Sequence, residues 1–232
     1  MQDFEKRQMI SAFLQKYDLE QIFAPIGLEQ FELLQLPKGQ VICSKGDEIN
    51  EMYSLVEGKI KIYTTTLDDK RLILRFQKAM GLIGDIEFIQ GTPVLYTIET
   101  STDCMVLKLP YAILRQKAVH DPQFLTFLLD VLTKKFRAKT DAATLNLLYP
   151  VEVRLASYLL STKADDERLF YHEEAKDSSM NDIADMVGTS YRHLNRVIKK
   201  LCIDGVIERS GGQLFIKDIE MLREIARNNI YE

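Results

Sequence analysis

Cysteine is scarce in this 232-residue chain, and Cys43, Cys104 and Cys202 are widely separated. No Cys-x-x-Cys pair occurs. An odd, scattered set supplies neither a disulfide framework nor the four thiolates of an iron–sulfur cluster. Because a free cysteine packs as a small hydrophobic side chain, we expect buried, reduced thiols. A redox role for one thiol is the alternative.

Histidine is equally rare, and His120, His172 and His193 all lie outside residues 31–109, where the pattern indicates β-structure. A cupin-like enzyme holds its metal inside such a β-structure with two or more histidines and a carboxylate. The composition therefore argues against this class of enzyme, and we expect no catalytic residues, metal or cofactor.

Long apolar runs are absent as well. The first ten residues are mixed in charge and do not have the pattern of a signal peptide. The longest apolar run, residues 124–132, is interrupted by Thr126 and Asp130 and is too short to span a bilayer. We therefore expect a cytoplasmic protein. The net charge of −4 disfavours a general nucleic-acid coat but allows a local basic patch.

The most informative stretch, residues 178–217, begins with two predicted helices. Ser179 and Asp182 have the spacing of a capping box at the start of the first helix. Gly188 can adopt a positive φ and so allows a tight turn between the helices. The second helix is predicted to begin at Thr189 or Ser190. Its apolar stripe consists of Leu194, Val197, Ile198 and Leu201.

The opposite face of the second helix is basic, because residues 189–203 contain four Lys or Arg and no acid. In the DNA major groove, arginine can pair with guanine and asparagine with adenine. Residues 206–209 and 213–216 then flank Ser210-Gly211-Gly212, which predicts a β-hairpin. A helical hairpin with a merely solvated charged face is the alternative, but the ordered cap, turn, basic helix and hairpin favour a winged helix-turn-helix that binds DNA.

The predicted DNA-binding residues are Thr189, Ser190, Tyr191, Arg192, Asn195, Arg196 and Lys199. Among them, Arg196 is predicted to read a base, whereas Lys199 and the neighbouring Lys200 are predicted to contact phosphates.

Residues 31–109 have a different sequence pattern. Short apolar or β-branched runs are separated by turn signals about every ten residues. Residues 59–63 alternate as a half-buried strand should. This pattern predicts an antiparallel β-roll or barrel, preceded by short helices in residues 1–30.

A long helix is predicted from Pro122 to Leu148. One apolar stripe consists of Phe124, Phe127, Leu128, Val131, Leu132 and Phe136, and Leu129 widens it. Lys134, Lys135, Arg137 and Lys139 are placed on the outside. A broad stripe on a long helix needs a partner, so we predict a homodimer contact, with packing on its own β-domain as the alternative. Pro150 marks the start of a new helix, and residues 161–177 read as a polar loop or edge strand.

This order of β-roll, long helix and winged helix-turn-helix resembles the Crp/Fnr family of bacterial transcription regulators. The most specific shared parts are residues 183–190 with Arg196 and Leu201, and the roll motifs Gly39, Gly46-Asp47, Gly58 and Gly84-Asp85. The resemblance implies an α+β protein in three parts. Residues 1–115 form an effector-sensing β-roll domain with N-terminal helices, residues 116–148 a dimerisation helix and residues 149–232 a DNA-binding domain.

The resemblance also implies a homodimer that binds double-stranded DNA at palindromic operators, with RNA polymerase as a candidate partner. Arg196 matches a family arginine that contacts bases. Tyr191 and Arg192 stand where well-studied members have an arginine and a glutamate, so the operator sequence is left open. A sensory scaffold that binds proteins and no DNA is the remaining alternative, and the basic helix argues against it.

The effector pocket departs from the cyclic-nucleotide-binding members, which have Gly-Glu and, eleven residues after that glycine, an arginine for the phosphate. Here the first pair is Gly84-Asp85 and the arginine position is Leu95, followed by Tyr96. A cyclic phosphate without a cation would remain unpaired, unless Arg71 or Arg75 replaced the arginine. We therefore expect one of two cases. Either a different, less charged effector binds in a candidate pocket formed by Gly84, Asp85, Leu95 and Tyr96, or the protein is constitutively active.

Overall fold

The computed structural model describes residues 3–65, 71–161, 179–211 and 213–227. The chain divides into two compact units, Met1–Thr64 with Leu74–Lys135, and Thr65–Ile73 with Phe136–Glu232. The division falls inside the long helix rather than at either end of it, and the three-part boundaries given above stay a prediction. Among the described residues, no helix has the length and apolar character that crossing a membrane requires.

In the described residues the roll has eight strands: β1 Glu32–Leu36, β2 Val41–Cys43, β3 Glu51–Glu57, β4 Ile60–Thr65, β5 Arg71–Gln77, β6 Leu82–Ile83, β7 Thr97–Thr100 and β8 Cys104–Pro110. They form two four-stranded sheets with the orders β1-β8-β3-β6 and β2-β7-β4-β5. The pairs β1–β8, β3–β8, β2–β7 and β4–β7 are antiparallel. The predicted antiparallel β-roll is therefore confirmed.

Helices occur before, within and after the strand sequence of the roll. They are α1 Asp3–Lys16, α2 Glu20–Phe23, a 3-10 turn Leu28–Gln30, α3 Asp85–Gln90 and α4 Tyr111–Lys117. The roll has one apolar cluster among its strands, around Leu55, Ile60 and Val106. A second cluster joins the strands to the helices. The predicted alternation holds from Ile60 to Tyr63, since Ile60 and Ile62 are buried and the residues between and after them are half-buried. It fails at Lys59, which is buried as well.

The long helix, α5, runs from Pro122 to Leu148, as predicted. One side of it belongs to the core of the roll: Phe124 and Leu128 are buried there, and Phe127 and Val131 pack against the same cluster. The stripe read from the sequence therefore combines two adjacent faces of the helix. The face with these four residues follows the alternative of packing on its own β-domain. The other face is exposed and carries Leu125, Leu129 and Phe136.

The second unit contains a small helical domain with a β-hairpin. Its elements are α6 Val151–Ser161, α7 Met180–Met186, α8 Tyr191–Ile203, β9 Ile207–Ser210, β10 Gln213–Ile216 and α9 Ile219–Ala226. Helix α6 packs against α8 and α9 and is buried along most of its length. Asp218 caps α9 as its side chain accepts from Met221 N at 2.9 Å. The polar stretch predicted at residues 161–177 lies, apart from Ser161, outside the described residues.

Candidate nucleic-acid interface

The first helix of the motif, α7, is held at its N-terminus by the predicted capping box. Ser179 Oγ accepts from Asp182 N at 3.1 Å, and Asp182 Oδ2 accepts from Ser179 N at 3.2 Å. Two backbone N–H groups that would otherwise lack a helical partner are thereby satisfied. The cap fixes where α7 begins, and with it the direction in which the chain enters the turn.

The turn after α7 depends on Gly188, whose φ is +61°. Thr189 N donates to Ala184 O at 2.9 Å and closes the turn. A Cβ on Gly188 would lie 3.1 Å from Arg154 Nη1, so the position combines a left-handed backbone with close packing. This turn places the start of α8 directly after α7.

The second helix, α8, begins after Ser190, whose side chain accepts from His193 N at 3.2 Å. Of the two predicted caps, Ser190 is the one used. The inward residues Leu194, Ile198 and Leu201 are fully buried, so the predicted apolar stripe anchors α8 to the domain core. Val197 lies at the edge of that stripe and is half-buried.

The outward face of α8 presents the predicted basic surface. Arg192, Arg196 and Lys199 are exposed, and none of the three has an ion-pair partner in the described part of the chain. Tyr191 is 49 % exposed at the first position of the helix. Three unneutralised cations on one face are what a protein needs to replace the counterions of a DNA backbone.

Asn195 is less available than its sequence position indicated. Its Nδ2 donates to Tyr191 O at 2.9 Å, and its Oδ1 accepts from Arg209 Nη1 of β9 at 2.8 Å. Reading an adenine requires both groups of the amide, and both are engaged here. Arg209 was not among the predicted site residues, because its link to α8 depends on how the hairpin folds back.

Lys200 also differs from the prediction that paired it with Lys199. Its ammonium group lies 2.9 and 3.1 Å from the two carboxylate oxygens of Glu152 on α6. The hydrogen bond that Lys200 donates to Glu152 raises the pKa of Lys200. A phosphate contact by Lys200 would have to compete with this ion pair, whereas Lys199 has no such competitor among the described residues.

The hairpin after α8 forms the predicted wing. Strands β9 and β10 pair antiparallel, with Gln213 opposite Ser210 and Ile216 opposite Ile207. Gly211 has a φ of +58°, as a tight hairpin turn requires. Gly212 lies outside the described residues. The wing begins one residue later than predicted, because Val206 O instead accepts from Lys217 N and Asp218 N at the base of the hairpin.

The four predicted effector-pocket residues lie in or near helix α3 of the roll. Gly84 has a φ of +84° at the N-cap of α3, and its carbonyl accepts from the Tyr111 hydroxyl. Leu95 is partly exposed, and its N–H donates to Glu87 Oε1 of α3 at 3.3 Å. Tyr96 is half-buried and packs against the strand core.

The remaining pocket residue, Asp85, is 2 % exposed and already has a cationic partner. Lys135 Nζ of α5 lies 2.6 and 2.7 Å from its two carboxylate oxygens and donates to Leu82 O at 2.8 Å. The sequence placed Lys135 on the outside of the helix, and this prediction is wrong. A long aliphatic stem lets the ammonium group reach a buried acid from the edge of an apolar face.

Burial affects the pKa of Lys135 more than the charge of Asp85 does. It lowers this pKa, although the negative charge of Asp85 acts to raise it. Arg75 of β5 lies in the field of the same carboxylate, and burial lowers its pKa too. Arg75 is half-buried and has no ion-pair partner within the described residues, so the Asp85–Lys135 pair leaves its charge unneutralised.

The three thiols are free, with Cys43 and Cys104 buried and Cys202 partly exposed. Burial raises the pKa of Cys43 to about 12 and also raises the pKa of Cys104. Within the described residues, no three His, Cys, Asp or Glu side chains gather in a group that could hold a metal ion.

A β-roll followed by a winged helix-turn-helix with a basic second helix defines a DNA-binding protein that carries a sensor-like domain. Residues 33–121 match the model of the cyclic nucleotide-binding domain, and residues 153–225 match that of the Crp-like helix-turn-helix domain. The chain belongs to the Crp/Fnr family, and it is a DNA-binding transcription regulator.

Similar proteins cover most of the chain. Regulatory protein YeiL of Escherichia coli O157:H7 is 27 % identical over 80 % of this chain and 81 % of its own. The fumarate and nitrate reduction regulatory protein of Yersinia pestis is 24 % identical over 92 % and 90 %. A solved structure of a Crp/Fnr-family regulator from Eubacterium rectale has a TM-score of 0.75 at 16 % identity, over 94 % and 99 %. The structural likeness extends the agreement in fold over nearly the whole chain.

Proposed function

We propose that the protein acts in the cytoplasm as a homodimer that binds inverted-repeat operators, one α8 helix for each half-site. The observation that carries this proposal is the face of α8 with Arg192, Arg196 and Lys199 exposed and unpaired among the described residues. In a two-fold dimer the two recognition helices would contact half-sites about one helical turn, roughly 34 Å, apart. RNA polymerase is the candidate protein partner on the promoter.

The exposed face of α5 supports a dimer. Leu129 is 63 % exposed and Phe136 is 74 % exposed, and Leu125 continues the same face one turn earlier. These positions are four and seven residues apart, which is the spacing of a helix–helix seam. Large apolar side chains in such a row are costly to leave in water, and a second copy of α5 would cover them.

We further propose that cyclic nucleotides do not control this regulator. Both carboxylate oxygens of Asp85 are bound by Lys135, so a cyclic nucleotide that used this carboxylate would have to displace a buried ion pair. Leu95, at the position of the phosphate-binding arginine, offers no charge. The effector is then either a different molecule in the roll or unnecessary, and the unpaired Arg75 is the cation that an anionic effector would meet.

The operator proposal is tested by selecting binding sites from random duplex DNA with the purified protein. We expect an enriched inverted repeat whose half-site centres are about ten base pairs apart. Sedimentation at micromolar concentration should give a dimer. A monomer that selects a single, unrepeated site with high affinity would contradict the proposal.

The effector proposal is tested by titrating cyclic AMP and cyclic GMP to millimolar levels while following the melting temperature and the affinity for the selected operator. No change is expected, because a ligand shifts an equilibrium only by its differential affinity for the two states. Tight operator binding without any additive would favour the constitutive form. Stabilisation together with a several-fold rise in operator affinity would contradict the proposal and assign the phosphate to Arg75 or Arg71.

A further inference from the structure

Arg71, the first residue of strand β5, holds helix α7 by two ion pairs. Its Nε lies 2.8 Å from Asp185 Oδ2, and its Nη2 lies 2.9 Å from Asp182 Oδ1. The Arg71 side chain is 31 % exposed, and the two carboxylates are more buried than that. Asp182 is also the capping-box acid, so one guanidinium joins β5 to the residue that fixes the start of α7. We call this contact the Arg71 clamp.

The clamp lies beside the DNA-reading end of the motif. Residues 65–73 belong to the same compact unit as the helix-turn-helix. Arg71 and Leu72 line an open cavity of about 800 Å³. The same cavity is lined by Gly188 of the turn and by the first residues of the recognition helix, Thr189, Ser190 and Tyr191.

A DNA duplex bound to the recognition helix would occupy the space around these residues. A recognition helix enters the major groove with its N-terminal residues against the base edges. The groove is about 12 Å wide, and a helix with its side chains is about 10–12 Å across. Arg71 and Leu72 line the same cavity as the first residues of α8, so this strand end lies beside the part of the helix that would enter the groove.

We propose that the Arg71 clamp is an autoinhibitory contact: while Arg71 is bound to Asp182 and Asp185, the N-terminal end of α8 is closed to DNA. Operator binding requires Arg71 to leave the two carboxylates. The proposal goes beyond the function proposed above. It concerns which conformation of the helix-turn-helix unit can bind DNA, and it does not depend on the identity of the effector.

The direction of the expected change in DNA affinity distinguishes the clamp from the usual effect of removing a positive charge. Removing a positive charge from a DNA-binding domain normally weakens DNA binding, because fewer counterions are released. Loss of Arg71 should do the opposite, since it removes the cost of opening. In the open state, the variant and the native protein present the same Asp182 and Asp185 to the DNA, so those acids do not bias the comparison.

The test compares Arg71→Gln with Arg223→Gln, which removes an arginine that pairs with Glu220 of its own helix, α9. The selected operator is labelled, and its dissociation constant is measured by fluorescence anisotropy for the native protein and both variants. We expect Arg71→Gln to bind about three to ten times more tightly, a range set by two partly exposed ion pairs. Arg223→Gln should stay within about twofold. Asp185→Asn, which removes one of the two ion pairs, should give a smaller rise than Arg71→Gln.

A closed form trapped by cross-linking provides the converse experiment. In a variant with Arg71→Cys, Asp185→Cys and Cys202→Ser, the two new thiols are joined with a short bismaleimide, and the product should lose operator binding. The same protein treated with a monofunctional maleimide should keep it. Hydrogen exchange supplies a readout without DNA: amides of α7 and of residues 189–192 should exchange faster in Arg71→Gln.

Unchanged or weaker operator binding by Arg71→Gln, or full binding by the cross-linked protein, would overturn the clamp and leave the operator proposal intact. If neither the native protein nor Arg71→Gln enriches any sequence from random DNA, both proposals are overturned.

Discussion

The ammonium nitrogen of Lys135 lies 2.6 Å from one carboxylate oxygen of Asp85, with the two side chains 12 % and 2 % exposed. The pair joins the long helix α5 to the first turn of α3, fifty residues earlier in the chain. Taking two charges out of water costs several kcal/mol for each ion, so neither partner is tolerated there without the other.

Removing one partner of this pair should therefore be much worse than removing both. Lys135→Met and Asp85→Asn should each lower the free energy of unfolding by about 3–5 kcal/mol, and the double variant should lose less than the sum. Urea denaturation of the four proteins measures the coupling. The matched control is Lys134→Met, whose lysine forms an exposed ion pair with Asp130 and should cost about 0.5 kcal/mol or less. Additive losses would show that the contact contributes nothing as a pair.

The exposed apolar face of α5 predicts where the proposed dimer can be broken. Leu129→Glu with Phe136→Glu should give monomers with an intact roll, because both side chains are exposed and a carboxylate in a helix–helix seam is strongly unfavourable. Sedimentation and melting curves measure the two properties. Lys134→Glu, on the same helix and with the same total charge change, should stay dimeric. A double variant that still sediments as a dimer would show that the dimer interface lies elsewhere.

Arg196 is predicted to read a base. Arg196→Ala should weaken binding to the selected operator by about 1–3 kcal/mol and relax one base position in each half-site. Repeating the site selection with the variant reveals the relaxed position. An unchanged operator and an unchanged affinity would rule out this role for Arg196.

Lys199 and Lys200 should differ in their salt dependence, although they are neighbours in the sequence. Lys199→Ala should reduce the slope of log K against log salt by about 0.9, because a free cation is lost from the DNA-facing surface. Lys200→Ala should change the slope less, since Glu152 already neutralises Lys200. Equal slopes for the two variants would mean that the ion pair with Glu152 opens on DNA.

Thiol chemistry should be confined to Cys202 near neutral pH. With a pKa of about 12, Cys43 has roughly one thiolate in ten thousand molecules at pH 8, and the thiolate is the reactive form. Cys104 is buried and its pKa is also raised, whereas Cys202 is partly exposed. Mass spectrometry after brief alkylation of the native protein should find the label at Cys202, with the other two labelled only after unfolding. Rapid labelling of Cys43 at pH 7 would support the redox alternative.

Interactions between residues close in the sequence explain how far the structure of the DNA-binding motif could be predicted from the sequence. The capping box of Ser179 and Asp182, the left-handed turn at Gly188 and the buried stripe of α8 each involve residues at most a few positions apart. Caps, turns and helical periodicity act over that range and leave a direct pattern in the sequence. The alternation that identified β4 and the turn signals of the roll belong to the same kind of evidence.

Contacts between distant residues were decided by the tertiary structure alone. Arg71 meets Asp185 across 114 positions, Lys135 meets Asp85 across 50, and Arg209 reaches Asn195 from another element. Periodicity shows that a side of α5 is apolar, but two adjacent apolar faces look like one broad stripe. Which face enters the roll, and which lysine follows it inside, depends on where the folded strands leave room, because burial and charge pairing are properties of the packed chain.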